Sequence, residues 1–228
     1  MSMNPFFSIV IPFHNAAKYL PAAVGSAVSQ TCSDLEIILV DDASTDRSCE
    51  TARRLARRDS RIRLLHLSRN AGASEARNLG MDLARGTFLM FLDADDRFDV
   101  DLCAQIRDSL KRHPADAVVW GVQEEYRDER EHLTGRKILR FPAASLEGLA
   151  AVRRKVLPLE RASLYGYLWN KAYRLERVRA LGLRIPRQSF NEDIMFNLTY
   201  FQELSSLNIL GSAPSHYSKR TSGSITGT

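Results

Sequence analysis

Cysteine is scarce in this chain. Cys32, Cys49 and Cys103 are the three thiols among 228 residues. They form no CxxC pair and have no zinc-binding spacing, which excludes a disulfide framework or a zinc finger as the basis of the fold. Reduced and mostly buried thiols are expected. No apolar run reaches membrane-spanning length, and the N-terminus lacks the basic-then-apolar order of a signal peptide, so a cytoplasmic protein is expected. Glycine-rich phosphate cradles are missing as well. Neither GxxxxGK[ST] nor GxGxxG occurs, which excludes a P-loop nucleotidase and the dinucleotide fingerprint. There is no RNA- or DNA-binding motif, and no nucleic-acid partner is expected. The net charge of +5 lies largely on helix faces, Arg53, Arg54, Arg57 and Arg58 among them. Its mild field suits nucleotide phosphates or acidic lipid headgroups.

Short apolar runs are plentiful. They occupy 8–11, 36–40, 62–67, 87–92 and 117–122, and helical patterns separate them at 19–30, 46–58, 73–85 and 100–112. Strands alternating with helices in this way predict βαβ units and a parallel sheet. "SIVI", "IILV" and "FLMFL" are continuously apolar, as strands covered on both faces must be. Pro21 suits a first helical turn, and Asp46 an N-cap or first-turn position. Gly86 is expected to end the third helix in a left-handed conformation, and Pro114 to stop the fourth. Beyond about 125 the pattern loosens. "EEYRDEREHLTGRK" reads as a hairpin or an exposed loop, helices are expected near 145–156, 175–181 and 192–203, and a strand at 207–210. The segment 213–228 reads as a flexible tail.

Ligands bind beyond the carboxyl ends of strands in an open parallel sheet. The segments that follow the strands are "PFHNAAKYL", "DDASTD", "SRNAGASEARN" and "DADD", all polar and turn-forming. They describe one crevice faced by Asp41, Asp42, Asp93 and Asp95. Carboxylates so placed either cap the next helix or hold a hard divalent cation, which takes oxygen ligands and neutralises their repulsion. Two such clusters at two strand ends favour the cation. A manganese or magnesium ion (Mn2+ or Mg2+) held by one or two carboxylates keeps coordination sites open for phosphates. Without a P-loop, that combination points to a nucleotide-sugar donor.

The chain resembles the family 2 glycosyltransferases, inverting enzymes of the GT-A fold. The resemblance rests on "SIVIPFHNAAKYL", "EIILVDDASTD", "NAGASEARNLGMDLARG", "FLMFLDADDRF", "LWNKAYR" and "FNEDIMFN", in the family's order over about residues 6–200. It implies an α/β fold with a Rossmann-like, mostly parallel central sheet flanked by helices. One domain is expected, with a nucleotide-binding half (1–115) and an acceptor-side half (116–212). Pro12, His14 and Asn15 would line the base pocket, His14 standing where most relatives have tyrosine. Asp42 would accept a hydrogen bond from the base, with Asp41 as its structural neighbour. Asn70, Gly72 and Arg77 would bind the donor. In the DxD motif Asp95 would bind metal, Asp93 would bind metal or sugar hydroxyls, and Asp96 would do either this or cap a helix.

The resemblance makes Asp193 the general base and gives Glu192 the shaping of the acceptor site; the dipole of their helix should keep a carboxylate ionised. Trp169, Asn170 and Lys171 would line the acceptor side or belong to the core. Lys219 or Arg220 would pair with the diphosphate, and His216 is either a third metal ligand or a plain structural histidine. Family members commonly continue well past position 228, so a shortened chain is expected. The reaction implied is transfer of a sugar from a nucleoside diphosphate sugar, uridine-based, to a hydroxyl of a saccharide or lipid-linked acceptor, with peripheral membrane contact. Two rival readings are a metal-dependent nucleotide-sugar phosphohydrolase and a catalytically silent sugar-nucleotide-binding module.

Overall fold

The computed structural model describes residues 4–187 and 191–220. Its first half alternates strand and helix: β1 (Phe7–Phe13), α1 (Leu20–Val28), β2 (Leu35–Asp41), α2 (Ser48–Arg58), β3 (Ile62–His66), α3 (Ala73–Leu83) and β4 (Phe88–Phe91). Then come β5 (Arg97–Phe98), α4 (Leu102–Arg112), β6 (Ala117–Val119), β7 (Val122–Arg127), β8 (Leu133–Leu139) and β9 (Ala144–Glu147). The chain continues through α5 (Leu149–Arg161), β10 (Lys171–Arg174), α6 (Leu175–Ala180), α7 (Glu192–Gln202), β11 (Ser206–Ile209) and β12 (Ser215–Arg220).

Among the described residues eight strands form one mixed sheet, in the order β3-β2-β1-β4-β10-β6-β11-β9. β1 to β4 are mutually parallel where they pair, while β10 runs antiparallel to both β4 and β6. A second sheet, β5-β12-β7-β8, stands beside it.

Helices on both faces explain the continuous apolar runs. Phe7, Ile9, Ile11 and Phe13 of β1 share a core with Leu20 of α1, Ala52 of α2 and Ile106 of α4. Val10, pointing the other way, lies with Ile38, Leu89 and Phe91 in a second core that includes Ala76 of α3 and Phe196 of α7. Each such fully buried large side chain contributes about 1.5–3 kcal/mol. Among the described residues no helix is long and apolar enough to cross a membrane.

Several expectations need correction. The run 117–122 is not one strand: β6 stops at Val119, and the chain leaves the large sheet to begin β7 at Val122. The charged stretch after 125, by contrast, is a hairpin as expected, β7–β8. The helix expected from 145 starts at Leu149, because 144–147 pair with β11 as β9. Residues 215–220, placed in the tail by sequence, form β12, parallel to β7; residues 221–228 lie outside the described residues. Gly86 does not adopt a positive φ, and α3 ends at Leu83. Glycine is required there because a Cβ would lie 2.6 Å from the Ser8 backbone nitrogen. That close approach lets the Gly86 N–H donate to Ser8 Oγ at 2.8 Å.

Candidate active site

The polar segments after β1, β2, β3 and β4 meet at one edge of the large sheet around a cavity of about 260 Å³. Pro12, His14, Asp42, Asn70, Gly72, Arg77, Asp93 and Asp95 all line it. Its walls are held by short-range bonds. Asp42 accepts from the Ala71 N–H at 2.6 Å and the Gly72 N–H at 2.8 Å, so it pins the turn into α3. Gly72 sits at φ +87°, a conformation that disfavours any side chain. His14 Nδ1 pairs with the Asp42 carbonyl at 2.7 Å. Asn15 is outside the cavity lining. It is left-handed (φ 49°), and its Oδ1 accepts from the Thr45 N–H at 2.8 Å, fixing the loop after β2. Asp41 is fully buried and takes a structural place, accepting from the Ser44 N–H at 3.0 Å and facing His66 Nδ1 at 2.8 Å.

Arg77 is the centre of the site. It projects from α3, 5% exposed, and donates to Asp93 Oδ1 at 2.8 Å. Its other terminal nitrogen stands 4.0 Å from both Glu192 Oε1 and Asp193 Oδ1. Its Nε is buried without a hydrogen-bond partner among the described residues. One guanidinium thus joins two motifs that lie about a hundred positions apart in the chain. On the far side of the DxD segment, Arg220 donates to Asp95 Oδ2 at 2.6 Å. Asp93, Asp95, Asp96, Glu192 and Asp193 still outnumber Arg77 and Arg220, and this excess attracts cations.

Burial, then the charge of Asp93, raises Asp95 above the ordinary carboxylate range despite Arg220. Asp96 is raised further, by burial and by Asp95 and Asp93. It does not cap α4, which begins at Leu102. Its Oδ1 accepts from the Ser218 N–H at 2.9 Å, and its Oδ2 is buried without a partner among the described residues.

Asp193 lies in the first turn of α7, entered through left-handed Asn191 (φ 64°). The helix N-terminus was expected to keep its carboxylate fully ionised, but burial outweighs it. Burial, with Asp93 and Glu192 adding to it and Arg77 opposing, pushes Asp193 up to about 6. Its Oδ2 accepts a long bond from the Leu168 N–H at 3.4 Å, and Oδ1, the atom that faces Arg77 at 4.0 Å, is buried without a hydrogen-bond partner among the described residues. A carboxylate tuned toward neutrality with an unbonded oxygen has the properties of a general base.

The sequence profile of glycosyl transferase family 2 matches residues 8–171, the span that builds the cavity and the DxD loop. The chain belongs to this family. It is 32% identical over 213 residues to the Bacillus subtilis protein named uncharacterized glycosyltransferase EpsJ, covering 91% of this chain and 59% of that one. Over 118 residues it is 39% identical to the PGL/p-HBAD biosynthesis glycosyltransferase of Mycobacterium tuberculosis, covering 51% of this chain and 46% of the other. Among solved structures, S. aureus TarS 1-349 in complex with UDP-GlcNAc superposes with a TM-score of 0.77 at 20% identity, over 98% of this chain and 60% of TarS. The GT-A architecture is shared. The chain spans about three fifths of the length of EpsJ and of this TarS chain.

In this family 2 chain the WNK segment forms a wall behind the catalytic candidates. Trp169 stacks on both Tyr167 and Tyr217, with ring centroids at 4.7 and 4.9 Å, and the two tyrosines lie 6.2 Å apart, so the three rings form one cluster. Asn170 and Lys171 are fully buried. Lys171, expected on the acceptor side, does not open to the cleft. Its Nζ donates to the carbonyls of Leu164 and Tyr167 and to Asn170 Oδ1, at 2.6–2.9 Å. These bonds shape the loop whose Leu168 N–H reaches Asp193. Burial pushes the Lys171 amine down to about 7.

β12 closes the other side. Lys219 pairs with Glu124, and His216 uses both ring nitrogens on Glu125 and Asp99, each at 2.8 Å, so neither ring nitrogen faces the DxD segment. Sequence reasoning missed Tyr19 and Glu131. Glu131, at the tip of the β7–β8 hairpin, accepts from Tyr19 Oη and from Arg220 Nε, and the Arg220 guanidinium stacks on the Tyr19 ring at 4.2 Å. Only the charge of "DERE" could have hinted at this, and a hairpin tip reads by default as solvated surface.

Proposed function

We propose that the protein transfers a sugar from a nucleoside diphosphate sugar, uridine-based, to a hydroxyl of a saccharide or lipid-linked acceptor, with inversion at the anomeric carbon. The observation that carries this reading is the convergence on Arg77 of Asp93 and Asp193 beside the strand-end cavity. The cavity takes the nucleotide, with His14 and Pro12 at its base end. The solved TarS complexes with UDP-GlcNAc and with UDP support a uridine-based donor.

In the proposed reaction Asp193 accepts the proton of the acceptor hydroxyl. The hydroxyl oxygen bonds to the anomeric carbon as the bond to the diphosphate oxygen breaks, and the electron pair leaves with the diphosphate. Arg77 holds donor-side and acceptor-side carboxylates in one frame, which is positional catalysis. Asp93 and Asp95 fit a divalent cation, manganese or magnesium. Each gives one oxygen to an arginine, and the local excess of carboxylates favours a positive guest. Such an ion would supply charge neutralisation for the leaving diphosphate. Release of Asp95 from Arg220 would turn that arginine toward the same phosphates.

Apolar side chains next to the base also fit a lipid-linked acceptor or a membrane surface: Ile194, Met195 and Leu198 on α7 are 36–47% exposed. A phosphohydrolase needs no acceptor base and leaves the position of Asp193 without a role.

A thermal-shift panel of nucleotide sugars with and without manganese tests the donor assignment. The expected result is stabilisation by uridine diphosphate sugars that depends on manganese and is lost in Asp95→Asn. Equal, metal-independent shifts with all nucleotides would overturn it.

A further inference from the structure

A second group of potential ligands lies behind the nucleotide wall. Its members come from three elements brought together by strand register. In the parallel β2–β3 pair Asp41 stands directly across from His66. The first turn of α2 delivers Cys49 over the same strand ends. His66 Nδ1 lies 2.8 Å from Asp41 Oδ2 and 3.7 Å from Cys49 Sγ, and one ligand atom of each residue lies within 4.8 Å of the others.

We propose that Asp41, Cys49 and His66 form a binding site for a thiophilic divalent transition ion such as zinc, distinct from the DxD site. In a tetrahedral zinc site with bonds of about 2.0–2.3 Å, a thiolate and a ring nitrogen sit roughly 3.5 Å apart. The Cys49–His66 separation is already close to this, and the Asp41–His66 pair needs only a small opening. The donor set decides the class of ion. Thiolate and imidazole select zinc-like ions, whereas the all-carboxylate DxD loop suits magnesium or manganese.

Charge balances on binding: the ionised Asp41 and a Cys49 thiolate offset a dication. The thiol proton leaves to solvent, and the proton that Nδ1 shares with Asp41 moves to Nε2. The His66 side chain is 44% exposed, which leaves a path for water as fourth ligand. Support for the site is in place, since Asp41 Oδ1 already accepts from the Ser44 N–H. The loop so fixed is the one whose Thr45 N–H holds Asn15, so occupancy would stiffen one wall of the nucleotide cavity. Charged Arg53, on the same helix as Cys49, is the nearby group that opposes the ion.

Cobalt is the probe, because its absorption reports thiolate ligation and tetrahedral geometry directly. Titration of the reduced, purified chain with Co2+ alone should produce a thiolate-to-cobalt charge-transfer band that saturates at one equivalent and is displaced by Zn2+. Cys49→Ser should abolish the band, and His66→Gln should weaken cobalt affinity by about tenfold or more. Asp95→Asn should keep the band, which separates this site from the DxD loop whether or not the transferase reading holds. Absence of the band in the unmodified chain overturns the proposal. So does its persistence in Cys49→Ser, which would assign it to Cys32 or Cys103, or its loss in Asp95→Asn.

Discussion

The two sides of the large sheet are built by different means. On the β3–β4 side, one helix joins β1 to its parallel neighbour β2 and another joins β2 to β3, and α3 then carries the chain from β3 across to β4 beside β1. The strand ends deliver loops that hold one another: Asp42 holds Ala71 and Gly72, and Asn15 holds Thr45. On the β10–β9 side, partners come from remote sequence. β10 inserts between β4 and β6, β11 pairs with β6 and β9, and β12 crosses to β5 and β7. On the proposed reading the first side is a preformed nucleotide cradle. The second carries the acceptor candidates, and its apolar residues stay partly open to solvent, Leu157 and Met195 among them. The proposed donor thus meets regular βα units, and the proposed acceptor meets a more irregular surface. Arg77 reaches carboxylates of both sides, Asp93 after β4 at 2.8 Å and Asp193 on α7 at 4.0 Å.

Breaking the acceptor side alone should give the largest effect. Asp193→Asn is expected to reduce transfer by about 10²–10⁴-fold, the usual contribution of a general base, with donor affinity unchanged in a binding assay. Unchanged turnover would remove Asp193 from that role. Cutting the bridge should harm both sides together. Arg77→Met leaves Asp93 and Asp193 facing each other without their cation, and breaking such a buried pair costs about 3–5 kcal/mol. Denaturant unfolding should register the loss, and donor binding should weaken in parallel. If only transfer fell, Arg77 would not join the halves.

Lys171→Met should come next. It leaves the buried Asn170 Oδ1 without its donor, at about 1–3 kcal/mol for a buried unsatisfied group, and removes one of two donors from each of the Leu164 and Tyr167 carbonyls, so the loop that contacts Asp193 loosens. Lower stability and lower kcat with an unchanged donor Kd would sharpen the division between sides.

The smallest effect is in pH. Asp193 must be ionised to accept a proton and titrates near 6, so kcat/KM should fall by about tenfold per pH unit below that value and level off above it. Asp193→Asn should erase this acidic limb from its residual activity. A limb that persisted would belong to another group.

Much of the donor side was readable from sequence because its signals are local. "SIVI", "IILV" and "FLMFL" are apolar throughout since helices cover both faces, and the polar segments after them had to gather at one edge. The resemblance then placed roles on Asp93, Asp95 and Asp193. Less was readable beyond Val119. β9 and β12 are polar strands whose partners lie far along the chain, and Lys171 looked like a cleft residue although its amine is satisfied within the loop.

The order of strands and helices on the donor side, the chemistry of its loops and the surplus of carboxylates are properties of nearby residues, set by hydrophobic period and turn chemistry. The joining of Asp93 to Asp193 through Arg77, the capture of Asp95 by Arg220 and the meeting of Asp41, Cys49 and His66 depend on register and crossover. Each brings together groups that no local pattern relates, and burial then sets their charge. The shift of Asp193 toward 6 is the clearest case, because it depends on how deeply α7 and its neighbours enclose one carboxylate.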